Sequence, residues 1–236
     1  MAYVTRVAEL EERLAAVRAR IGDACRAAGR DPAGVTLVAV SKTWPASDVL
    51  LLAGLGVTDF GESYDAEAAA KAAALAQAGV APRWHFVGGL QRNKARSVAS
   101  YASVVHSLDR PQVVDALAGA ARRAGRTVDG LVQVRLDAGS DARSGVAPEE
   151  AESLADHVAA SGVRLAGVMC VAPLGGDARA AFARLREVSE RVRASHPEAT
   201  TISAGMTGDL ADAIAEGSNC VRVGTALFGG RPPRTR

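Results

Sequence analysis

After Asp31-Pro32 the chain settles into one rhythm, eight short runs rich in β-branched residues, nearly all of them separated by longer helix-like stretches. Strands that alternate with helices require crossover connections, and those build a parallel sheet. The eight runs are VTLVAVSK (35–42), VTDFGES (57–63), RWHFVGG (83–89), SVVHSLD (103–109), GLVQVRLD (130–137), RLAGVMCV (164–171), TTISAGM (200–206) and CVRVGTALFG (220–229). Between them lie helix-like segments such as DAEAAAKAAALAQAG and DARAAFARLREVSERVRASH; the third connection, LQRNKARSVAS, is shorter and weaker. Eight such units predict an α/β fold, a single (β/α)8 TIM barrel rather than an open doubly wound sheet.

Ahead of the barrel, Val4, Val7, Leu10, Leu14, Val17 and Ile21 recur at steps of three and four, with Gly29 as a stop. This predicts an additional amphipathic helix over about 3–29. With 236 residues and no linker or low-complexity stretch, residues 1–236 read as one domain with a full core.

Several function classes lose support. A net charge of +2 is too small for a nucleic-acid or membrane-surface footprint. Cys25, Cys170 and Cys220 show no CxxC spacing, and His85, His106, His157 and His196 are scattered, so neither a disulfide framework nor a metal site is expected. No stretch approaches the ~18 apolar residues of a membrane span, and MAYVTRVAELEERL lacks the order of a signal peptide; the expected compartment is the cytoplasm.

In such a barrel the working residues project from the C-terminal ends of the strands. Thr36, Val38, Val40 and Lys42 share one face of the first strand, so if Val38 and Val40 fill the interior, Lys42 projects into the mouth. Burial disfavours a charged amine, and a neutral amine condenses with an aldehyde, which makes Lys42 a candidate Schiff-base residue. The loops after the seventh and eighth strands suit a phosphate: Ser203 offers a hydroxyl, and the Gly205–Met206 and Gly224–Thr225 backbones offer N–H groups. Asp209 would repel a phosphate and reads as a helix-terminus stabiliser. Arg222 breaks the apolar alternation of the last strand and is expected inside the barrel mouth.

The pieces AVSKTWPA, DFGESYDAEA, WHFVGGLQRNKAR, VHSLDR, DARSGV, ISAGMTGDLADAIAEGS and VRVGTALFGG together resemble the pyridoxal phosphate homeostasis protein family, in order and at its spacing, over nearly the whole chain. That family is similar to the barrel domain of alanine racemases without their second domain. The resemblance implies that Lys42 forms the internal aldimine with pyridoxal 5′-phosphate, that Ser203, Gly224 and Thr225 lie around the phosphate, and that Arg222 faces the pyridine nitrogen. Two positions depart from the pattern: Ser63 stands where FGEN has asparagine, and Arg143 where SKSG has lysine.

Most enzymes using this cofactor place a carboxylate at the pyridine nitrogen, and arginine there weakens the ring as an electron sink. The racemases' second domain also supplies a tyrosine acid/base, whereas this chain ends at GGRPPRTR; of Tyr3, Tyr64 and Tyr101 only Tyr64 lies near the predicted mouth. The leading expectation is a non-catalytic carrier that buffers, protects or delivers pyridoxal phosphate, a monomer serving pyridoxal-phosphate-dependent apoenzymes. The alternatives are an amino acid racemase pairing Lys42 with a group such as Tyr64 and a Schiff-base aldolase acting through Lys42 directly. His85 reads as a histidine satisfied inside the barrel, with cofactor contact as its other reading, and Arg135 as an interior charge or a strand-end ion pair. Residues 173–177, PLGGD, follow the sixth strand as a connection or a lid.

Overall fold

Residues that alternate between two environments dictate the architecture. The computed structural model describes residues 2–136, 144–173 and 175–230. Eight parallel strands, β1 (Thr36–Val40), β2 (Asp59–Glu62), β3 (Arg83–Phe86), β4 (Val104–Leu108), β5 (Asp129–Gln133), β6 (Arg164–Met169), β7 (Thr201–Ser203) and β8 (Cys220–Val223), close into a barrel in chain order. Around them run α2 (Ala46–Gly54), α3 (Asp65–Gln77), α4 (Ala95–Tyr101), α5 (Pro111–Arg123), α6 (Ala151–Ser161), α7 (Ala178–Ser195) and α8 (Leu210–Ala215), with α1 (Ala2–Ala27) ahead of the barrel. The fold is a TIM barrel with an extra N-terminal helix.

One set of alternate strand residues, including Ala39, Phe60, Trp84, Phe86, Val105, Val132, Val168 and Val221, packs against the helices in the main core. The other set faces inward. Register pairs Val40 with Gly61, Gly61 with His85 and His85 with Val104, and on the other side Gln133 with Met169, Met169 with Ser203 and Ser203 with Cys220. Gly61 is needed in this layer because a Cβ there would press on the side chains of Val38 and Val40. Val104, Leu131 and Met169 form a small interior cluster separate from the main core. Barrel interiors are dominated by branched aliphatic side chains. Here His85, His106, Ser203 and Arg222 interrupt that filling, all of them buried.

α1 buries Leu10, Leu14, Val17 and Ile21, while Val4 remains exposed, and it packs against α2 and α8. Each such buried aliphatic side chain stabilises by about 1.5–3 kcal/mol. The helix stops at Ala27, two residues short of the expected end, and Gly29 takes a left-handed φ of 64° just beyond it.

The eighth run departs from expectation. Its strand ends at Val223, and Thr225–Phe228 forms a short helix, α9, in which the N–H groups of Leu227 and Phe228 both donate to the Gly224 carbonyl at 2.9 Å. Ala226, Leu227 and Phe228 continue the apolar pattern, so periodicity alone extends the strand too far. The apolar side chains of Leu227 and Phe228 instead fill the main core from a helical turn. The weak third connection proves to be a 3-10 turn over Arg92–Lys94 followed by the two turns of α4.

Candidate functional site

At the C-terminal ends of β1 and β8 a cavity of about 300 Å³ opens. Its wall brings together Lys42, Met206, Arg222, Gly224 and Thr225 from the expected set, with Val40, Trp44, Ser63, Val87, Val171, Thr207 and Gly208. Ser203 and Gly205 are not on this wall. Ser203 is fully buried beneath it, its hydroxyl taken by Arg222 and His106. Gly205, at φ 92°, carries the chain so close over α8 that a Cβ would overlap Ala213, and its carbonyl accepts the Arg222 N–H at 2.9 Å. The Met206 amide, expected to face a phosphate, donates instead to Asp209 Oδ1 at 2.6 Å. Asp209 therefore closes its own loop rather than capping α8 by its side chain. Arg143 and Leu174 lie outside the described residues, so the expectations for Arg143 and for 173–177 as a lid go no further.

Arg222 sits inside the barrel, as its place opposite Val38 requires. Its Nη1 donates to Ser203 Oγ at 2.5 Å and its Nη2 to the Cys170 carbonyl at 2.7 Å. Burial pushes its pKa down, and no carboxylate among the described residues forms an ion pair with it. Lys42 is half-buried, and no described residue engages its ammonium by hydrogen bond or ion pair. No acidic side chain among the described residues lines the cavity. Two cations facing one space without a counter-charge fit an anionic ligand that also carries a hydrogen-bond acceptor.

The backbone on either side of Lys42 is held by a buried ionic network. Ser41 Oγ donates to Glu62 Oε1 at 2.6 Å, and Lys71 Nζ donates to that same oxygen at 2.6 Å and to the Ser41 carbonyl at 2.7 Å. Glu67 Oε1 accepts from Lys71 and from the Thr43 N–H, both at 2.6 Å. Thr43 has a left-handed φ of 72°, rare for a β-branched residue and worth about 1–3 kcal/mol of strain. The network thus holds a strained turn that aims Lys42 into the mouth. Burial pushes the Glu62 carboxyl up, against the opposing pull of Lys71 and Ser41.

α1 contributes more to the site than an amphipathic pattern reveals. Arg6 lies 4.9 Å from the centre of the Trp44 ring and pairs with Asp48 at 2.6 Å, and Trp44 stacks on Phe228 at 5.9 Å. Arg20 donates to the Thr207 carbonyl at 2.7 Å, pinning the loop after β7.

His85 is satisfied within the barrel, between Asp59 and His106, each at 2.8 Å, and it is absent from the cavity wall. Arg135 lines a neighbouring space of about 210 Å³ that shares Val87 and Val171 with the first. Burial depresses His85 despite Asp59, and depresses His106 further, with His85 and Arg222 adding to the effect. A histidine held neutral in the fold binds its proton more readily when unfolded, so each lowers stability by up to about 1.4 kcal/mol per pH unit below about 6.5. Glu62, with its raised pKa, acts with the opposite sign as pH falls. The check is therefore a difference: between pH 6.5 and 5, urea denaturation of His106→Gln should show a shallower loss of stability than the unsubstituted chain.

A closed eight-stranded barrel with a lysine just past its first strand and an arginine in its last defines the class of alanine racemase barrels. Residues 13–232 match the family described as "Alanine racemase, N-terminal domain". The chain is 42% identical to the pyridoxal phosphate homeostasis protein of Mycobacterium tuberculosis (strain ATCC 25618 / H37Rv), over 99% of this chain and 97% of that one. It is also 42% identical to the protein of that name from Pseudomonas aeruginosa, over 94% and 96%. PipY of Synechococcus elongatus, a structure with pyridoxal phosphate bound, superposes with a TM-score of 0.81 at 32% identity, over 94% of this chain and 100% of that one. The chain belongs to the pyridoxal phosphate homeostasis protein family.

Proposed function

We propose that this chain binds pyridoxal 5′-phosphate at the barrel mouth and serves pyridoxal phosphate homeostasis by buffering, protecting or delivering it, without turning over amino acids. One observation carries the reading: Lys42, an amine that no described residue engages, shares a cavity with a buried guanidinium, Arg222, that pairs with no carboxylate among the described residues. When bound, the cofactor supplies an aldehyde that condenses with a primary amine. Lys42 supplies that amine. Arg222 lines the cavity, and a ring nitrogen facing a permanent cation stays an unprotonated acceptor, which favours holding the ring over using it to stabilise a carbanion. The hydroxyls of Thr207 and Thr225, with the leading amides of α9, form the polar wall for a phosphate. Ser203 acts from below through Arg222.

A racemase would need a second acid/base across the ring. Tyr64, the residue considered for that part, is 45% exposed and lies off the cavity wall. Residues 1–236 act as one barrel domain, a monomer in the cytoplasm, with apoenzymes as recipients. No helix among the described residues is long and apolar enough to cross a membrane. Adding pyridoxal phosphate to the pure protein should raise a visible band, while alanine in deuterated solvent should keep its α-proton; turnover abolished by Lys42→Ala would overturn the carrier reading.

The phosphate wall has its own test. Thr225→Val removes one donor to a charged acceptor, worth about 1.5–3 kcal/mol, so titration should show pyridoxal phosphate bound about 10–100-fold more weakly while pyridoxal, which lacks the phosphate, binds unchanged.

A further inference from the structure

The polar residues that interrupt the barrel interior are not scattered. They form one continuous line from the mouth to the opposite end of the barrel. Arg222 Nη1 lies 2.5 Å from Ser203 Oγ, Ser203 Oγ 3.0 Å from His106 Nδ1, His106 Nε2 2.8 Å from His85 Nδ1, and His85 Nε2 2.8 Å from Asp59 Oδ1. Asp59 opens β2 at the far end of the barrel, lining a different cavity from Lys42.

The chemistry of the end groups fixes the direction of every bond between them. An ionised carboxylate only accepts, so His85 carries its proton on Nε2 and, being neutral, accepts at Nδ1. His106 must then donate from Nε2 and accept at Nδ1, which leaves the Ser203 hydroxyl to donate to it and to accept from Arg222. A proton added to His85 Nδ1 would face the His106 N–H, and one added to His106 Nδ1 would turn the Ser203 hydroxyl away from the ring. Burial pushes the pKa of both rings down, in agreement with this order. Asp59 is held below the usual carboxylate range: burial pushes it up, but the hydrogen bonds from His85 and Thr58 prevail.

We propose that Asp59, His85 and His106 are positioning residues for Arg222, acting through Ser203. Asp59 is the accepting end of the column, and the hydrogen bonds between them lock Arg222 in one orientation. Two of the guanidinium N–H groups are spent on Ser203 and Cys170, and Arg222 itself lines the cavity. The proposal rests on the cofactor reading for its consequence, that the ring meets a donor whose direction is fixed from the other end of the barrel. A lone buried arginine would be free to turn toward any nearby carbonyl.

Two measurements test it. In cofactor-free protein labelled with 15N at histidine, both buried rings should be neutral with the proton on Nε2 at pH 7; a charged ring or an Nδ1–H form at either position would overturn the column. In the second, Asp59→Leu should weaken pyridoxal phosphate binding at least about tenfold and alter the pH profile of its visible band, whereas Asp59→Asn, which keeps an accepting oxygen, should bind within about threefold of the unsubstituted protein. Asp129→Leu is the control. Asp129 sits at the same end and pairs with Arg83 and Arg164, outside the column. Equal losses in Asp59→Leu and Asp129→Leu would reduce the column to scaffolding and overturn the proposal. The expected histidine pattern in a protein that forms no visible band would support the column and overturn the cofactor reading.

Discussion

Lys42→Ala is expected to abolish the visible band formed with pyridoxal phosphate and to leave only a weak, non-covalent association. The chain has three lysines, at positions 42, 71 and 94, and the structure treats them differently. Lys71 donates to Glu62, Glu67 and the Ser41 carbonyl, all within 2.7 Å, so its three N–H groups are committed and no lone pair is presented. Lys94 lies 3.8 Å from Asp65 and away from the cavity wall. Of the three lysines, Lys42 alone lines the cavity, with no described residue engaging its amine. Absorbance titration of the variant checks this, and a band of undiminished intensity would contradict it.

Lys71→Met is expected to lower the free energy of unfolding by about 3–5 kcal/mol, the usual cost of removing one partner from a buried ion pair. Glu62 is fully buried and its Oε2 has no partner among the described residues, so the variant leaves a carboxyl supported, among those residues, by the Ser41 hydroxyl alone. Glu67 is better placed to rehydrate, since its side chain is 28% exposed. Because the penalty comes from the stranded carboxyl, adding Glu62→Gln should recover a large part of the loss, a coupling readable in a double-mutant cycle by urea denaturation. Additive losses would show that the two residues act independently.

How far this site can be read from sequence follows from where each residue lies. Lys42 and Arg222 are legible because strand alternation is strict: Val38 and Val40 fix the face of one, and the break in an apolar run marks the other. The clamp behind Lys42 is not legible in the same way. Glu67 and Lys71 stand four residues apart on α3, the spacing of an ordinary solvated helix pair, and only the packing of α3 against β2 turns them inward. Sequence places Ser203 at the mouth, and its hydroxyl lies buried beneath the wall against Arg222 and His106, since a hydroxyl at a strand end serves a ligand and a buried guanidinium equally well. The column through His106 and Asp59 depends on register between strands far apart in the chain, which no local pattern carries. Trp44 and Arg6 meet only because α1 folds back across α9.

The central claim is that Lys42 holds the cofactor, and one measurement addresses it directly. Borohydride reduction of the protein loaded with pyridoxal phosphate, followed by proteolysis and mass mapping, should place a single phosphopyridoxyl group on Lys42. The same group found on Lys71, Lys94 or the α-amino terminus, with Lys42 unmodified, would contradict the account.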